Sequence, residues 1–162
     1  MTVHETKPAD EAVLQDVARA AAREALVPID VARALVAAVD GGSVAQVKVA
    51  ELLGVSAPAV NQRLKTARGV APVREGFSGA RPLEIAQRYA AGDIDREQML
   101  DELSSWPYPP REPDPDVVEW NVAGFGDDWS DLGTATRRGY ITYDDYGVIF
   151  DRVEAREAQA ST

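Results

Sequence analysis

Residues 46–65 read QVKVAELLGVSAPAVNQRLK, and they decide the fold: the spacing predicts two short helices meeting at Gly54. Val49, Leu53, Val55, Val60 and Leu64 recur at intervals that turn one apolar face of each helix toward a shared core. Ala50 is small enough to let the second helix approach the first, and Gly54 suits the turn between them. Ser56 stands at the N-cap of the second helix, Val55 and Val60 have the spacing of a hydrophobic staple, and Pro58 is tolerated in the first turn.

With the inward positions assigned, the outward ones follow. Ala57, Pro58, Asn61, Gln62 and Lys65 face away from the core near the front of the second helix, beside its cap Ser56. Asn and Gln can pair bidentately with adenine, and Ala57 and Pro58 can press against a thymine methyl. Gln46, Lys48, Arg63 and Arg68 complete the set as phosphate contacts. The pattern Q-x-K-x-A-x-x-L-G-V followed by A-V-N resembles the helix-turn-helix of phage repressors and Cro-type regulators. That resemblance implies major-groove binding to double-stranded DNA by the helix from Ser56; a homodimer is expected, so that two recognition helices reach two half-sites. Ala57 and Pro58, which carry no hydrogen-bonding side chains, are its departure from a strong base-reading surface.

Charge divides the 162-residue chain, whose formal net charge is -10. Residues 1–30 carry 3 Lys+Arg against 6 Asp+Glu, residues 31–92 carry 8 against 4, and residues 93–162 carry 6 against 17. All aromatic residues lie at or beyond Phe77. A basic aliphatic module therefore precedes an acidic aromatic one, and phosphate binding belongs to the first.

The expected fold class is mainly α: an N-terminal helix-turn-helix bundle followed by a smaller acidic helical module, with a Pro-rich linker. Residues 1–29 hold a helix over Asp10–Leu26 that Pro28 breaks, and its alanine-rich apolar face is the candidate dimerisation element. Residues 30–72 form the DNA-binding domain, with Asp30 capping a helix to Val39 that Asp40-Gly41-Gly42 ends. Residues 73–81 fall in the stretch Val70–Arg81, where Pro72, Gly76 and Gly79 predict a linker. Residues 82–162 hold helices over Pro82–Ala91, Asp95–Ser105, Trp129–Arg138 and Thr142–Ala158.

Two stretches of the acidic half share one device. AQRYAAGDIDREQM (86–99) and ATRRGYITYDDY (135–146) each place a glycine before an Ile and a capping Asp95 or Thr142. Gln98 and Asp145 have capping-box spacing, and Ile94 with Met99 and Ile141 with Tyr146 have staple spacing. The pattern predicts two helical hairpins. WPYPPREPDPD (106–116) is too proline-rich for helix or central strand, and 117–126 reads as a short strand or packed loop.

The acidic module has the composition of a partner-binding surface, with Trp106, Tyr108, Trp120 and Trp129 as candidate anchors for a basic protein. A DNA-reading module joined to such a module resembles the layout of toxin-antitoxin antitoxins, which implies a toxin as partner and autorepression. The segment REGF followed by LEIAQRYAAGDIDREQML (74–100) also resembles the antitoxins of Fic-type AMP-transferases. That resemblance implies an inhibitory helix ending at Glu75-Gly76, with Glu75 obstructing the toxin's nucleotide phosphate; Ala71 stands where that family has Ser or Thr.

Other chemistry lacks its residues. The chain has no cysteine and a single histidine, His4. Neither Asp127, Asp128, Asp131 nor Asp114, Asp116, Glu119 has calcium-loop spacing, and the only lysines are Lys7, Lys48 and Lys65. No enzyme, metal or other cofactor is expected. The longest uncharged run, Leu52–Gln62, is too short to span a bilayer, and MTVHETKPADEA lacks a signal-peptide pattern, so the expected location is the cytoplasm. Two alternatives stay open: a protein-interaction or immunity protein whose helix-turn-helix is only scaffold, and an acidic module that folds back over the basic one as a mimic of DNA.

Overall fold

The computed structural model describes residues 8–42, 44–110 and 127–162. Among them the chain forms seven helices and no strands: α1 Pro8–Asp40, α2 Gln46–Leu53, α3 Ala57–Ala67, α4 Pro82–Ala91, α5 Arg96–Ser105, α6 Asp127–Arg137 and α7 Tyr143–Ala160. None of these helices is long and apolar enough to cross a membrane. The chain divides into two compact units, one of Glu24–Val73 and one of Met1–Arg23 with Arg74–Thr162.

Pro28 does not break the first helix. α1 runs unbroken through it, so the expected helix start at Asp30 is absent. A proline inside a helix removes one hydrogen bond and costs about 3 kcal/mol. Ala22, Leu26 and Leu35, buried on either side of it, together with the alanine-rich sequence, offset that cost. The helix stops where expected, at Asp40, where Gly42 takes φ 72° and Val44 N–H donates to Ala38 O at 3.0 Å.

In the Glu24–Val73 unit, Leu35, Val49, Ala50, Val60, Leu64 and Ala67 form one buried cluster, with Ala32, Val36, Val39 and Val55 packed against it. The end of α1 thus supplies the surface on which α2 and α3 lie. Two arginines fix the arrangement at its rim: Arg33 donates to Ala71 O from Nε (3.1 Å) and Nη2 (2.8 Å), and Arg68 forks Asp40.

In the acidic unit α4 packs on α5 and α6, and α5 on α7. Its core includes Ile85, Met99, Leu103, Leu132, Ile149 and Val153. Residues 74–81, expected to be a linker, belong to this unit and are held tightly. Arg74 N–H donates to Gly79 O at 3.2 Å, Ser78 N–H and Oγ–H both donate to Glu102 Oε2 at 2.7 Å, and Phe77 sets its ring edge-on to Trp106 at 4.8 Å. With this segment and the first turns of α1 included, the acidic unit is the larger of the two.

Buried carboxylates organise the unit by accepting hydrogen bonds from arginine and from helix starts. Asp131 of α6 receives Arg81 and also Leu83 N–H (3.2 Å) in the first turn of α4, a helix whose own N-cap residue offers no side-chain bond. Asp145 forms the expected capping box with Thr142 and also receives Arg96 Nε at 2.8 Å. Asp95 caps α5 as expected, but Gln98 does not close the box; its side chain donates to Glu102 at 2.8 Å.

Candidate nucleic-acid interface

Gly54 takes φ 65°, ψ 32° at the end of α2, and Val55 N–H donates back to Ala50 O at 3.0 Å. Glycine adopts this left-handed turn without the strain a side chain would add. Three residues, Gly54 to Ser56, join the two helices, and Ser56 opens α3 by accepting Ala59 N–H at 3.4 Å, with Pro58 in the first turn. Val60, Leu64 and Ala67 bury one side of α3, and Val55 packs beside them. Leu53 departs from expectation. It is 36% exposed, and Leu52 is 86% exposed; both stand in the last turn of α2, outside the buried cluster.

The other side of α3 is open. Ala57, Pro58, Asn61, Gln62, Arg63 and Lys65 are all exposed. At 100° per residue Asn61, Lys65, Pro58 and Gln62 share an arc of about 100°, and Arg63 falls about 100° further round, on the far flank. The structure therefore brings four of the expected residues onto one strip and sets Arg63 and Ala57 apart from it, Ala57 about 40° beyond Asn61 on the side of Leu64.

The remaining cations differ in how free they are. Lys48 is exposed and sits 3.1 Å from Glu51 within α2. Arg68 pairs with Asp40 at 2.8 Å; the hydrogen bond from Arg68 holds the Asp40 carboxyl below its ordinary range, and the same pairing raises Arg68. Both would have to exchange an intramolecular carboxylate for a phosphate. Gln46, half-buried at the start of α2, lies beside a feature the sequence did not single out. Ala45 gives α2 no side-chain cap, so its first N–H groups are open to an anion.

The expected partner anchors fare differently. Trp106, Tyr108 and Trp129 are buried in the acidic unit and serve as its core, not as surface anchors. Tyr108 stacks on Trp129 at 4.1 Å, Trp106 Nε1–H donates to Asp128 at 3.1 Å, and Trp129 Nε1–H donates to Pro109 O at 3.3 Å. Burial, and then the Asp128 charge, push the Tyr108 phenol well above its usual value. Trp120 and the strand or loop expected over 117–126 lie outside the described residues. Glu75 is exposed, but no helix runs into Glu75-Gly76: α3 ends at Ala67 and residues 71–74 are not helical. Among the described residues no group of three or more His, Cys, Asp or Glu side chains converges on a metal position. Comparison with protein-family models, with curated proteins and with solved structures finds no match to this chain.

Proposed function

We propose that this chain is a sequence-reading, double-stranded DNA-binding regulator whose helix-turn-helix is α2 and α3. One observation carries the reading: α3 is locked by Val60, Leu64 and Ala67 while its opposite strip of Pro58, Asn61, Gln62 and Lys65 is exposed. A helix held this way can enter a major groove without disturbing its own core. Asn61 and Gln62 then read adenines, Ala57 and Pro58 meet thymine methyls, and Arg63, Lys65 and the open start of α2 at Gln46 contact phosphates.

Residues 46–68 contain four Lys or Arg and one acid, Glu51, so attraction to phosphate is local even in an acidic chain. With Trp106, Tyr108 and Trp129 buried, the acidic unit offers its surface charge to a basic partner, the layout of an antitoxin that represses its own gene. Its exposed carboxylates, Glu75 among them, take the role first given to the tryptophans. No cofactor and no catalytic step enter this account.

The test is a titration of the full chain against a duplex from upstream of its own gene and against a scrambled duplex of equal composition. Tighter binding to the first is the expected result. Equal binding to both, or none, refutes sequence reading and favours the helix-turn-helix as scaffold.

A further inference from the structure

The first half of α1 has two unlike faces. Ala22 is fully buried, and Ala18 lies against the turn between α6 and α7, 3.8 Å from where a Cβ on Gly139 would sit. The opposite side presents Val13 and Val17 at 61 and 59% exposure, with Ala20 exposed beside them; Leu14, 60% exposed, lies on the flank between Val17 and Ala18. Leu14 and Val17 also line an open groove with Tyr143, itself 78% exposed. Val13, Val17 and Ala20 on α1, flanked by Leu14 and by Tyr143 at the start of α7, form an exposed apolar strip, a feature that marks an interaction site.

Charge along this strip selects the occupant. Asp10, Glu11 and Asp16 precede Arg19 and Arg23, and the exposed Glu24 follows, about 20° round from Val17. Asp16 and Arg23 are exposed on the same flank, about 100° and 120° from Val17, and seven residues apart, the repeat of a helix-helix seam. Among the described residues neither has an ion-pair partner. A parallel copy would set acid beside acid. An antiparallel copy sets Asp16 against Arg23 of the partner subunit, and two-fold symmetry makes that pair twice.

We propose that a second copy of this chain packs antiparallel on this strip, Val17 against Ala20 of the partner subunit, with Asp16 and Arg23 forming two reciprocal ion pairs. This rests on the DNA-binding reading only in that it supplies the dimer which a two-half-site operator requires.

The test is sedimentation equilibrium of the full chain and of Asp16→Arg, Arg23→Asp and the double swap, with helix content checked by circular dichroism. All three variants change exposed residues and should stay folded. The expected wild type is a dimer; each single swap weakens self-association about tenfold by replacing two attractive pairs with two repulsive ones, and the double swap restores it. Val17→Glu should weaken it without rescue. A wild type that stays monomeric overturns the proposal and leaves the strip to a different protein, and a double swap as weak as the singles overturns the pairing. A dimer that does not discriminate between duplexes refutes DNA reading and leaves the pairing standing, whereas a discriminating monomer does the reverse.

Discussion

Arg68 closes on Asp40 through Nε at 2.9 Å and Nη2 at 2.8 Å, tying the residue after α3 to the last residue of α1. Because Arg68 holds the Asp40 carboxyl below its ordinary value of 3.8, the pair contributes stability that is present above that value. It is lost as pH falls through the lowered folded value. Asp40→Asn should therefore destabilise the chain near neutral pH, and the gap from wild type should close in acid below about pH 4. Thermal melts of both proteins from pH 7 to pH 2 check it; a gap that stays constant with pH contradicts it.

Leu64 and Leu52 separate packing from sequence hydrophobicity. Leu64 is buried in the cluster beneath α3, so Leu64→Ala should cost about 2–5 kcal/mol. Leu52→Ala, at a site 86% exposed, should shift stability by less than about 0.5 kcal/mol. Urea unfolding followed by circular dichroism distinguishes them, and equal costs would mean that α3 is not seated as described.

Asp131 caps a helix that is distant in sequence. Asp131→Ala removes the acceptor for Leu83 N–H and for Arg81, and the cost expected for such a cap is about 1–2 kcal/mol. Amide exchange should quicken first in the opening turn of α4. Unchanged exchange there would deny the capping role.

Tyr108 carries a buried hydroxyl with no hydrogen-bond partner among the described residues. Leaving such a group unpaired is unfavourable, so Tyr108→Phe should be neutral or stabilise by up to about 1 kcal/mol. A loss above about 1 kcal/mol in denaturant unfolding would reveal a partner for the phenol.

Short-range features were legible from the sequence and long-range ones were not. Ser56, Asp95 and Thr142 cap helices through bonds three residues away, and such spacings are written in the chain. Gly54 could be read for the same reason. Pro28 misled because its local cost is offset by burial around Ala22, Leu26 and Leu35, which no window of sequence displays. The three aromatics Trp106, Tyr108 and Trp129 misled because a large apolar side chain suits a core as well as an interface, and only the packing of α5, α6 and α7 decides between them. Residues 74–81 looked like a linker by glycine content, yet Glu102, some 24 positions from Ser78, holds them in place. On α3 the exposed strip followed from helical period alone, whereas the Arg68–Asp40 pairing joins residues 28 apart and had no local signature.

The most direct measurement is the affinity of Asn61→Ala, Gln62→Ala and the wild type for the upstream duplex and its scrambled counterpart at several salt concentrations. The account predicts that each substitution weakens binding to the upstream duplex by about 1–3 kcal/mol while leaving scrambled-duplex binding and the salt slope unchanged. Equal losses on both duplexes, or no loss on either, would contradict the claim that α3 reads bases.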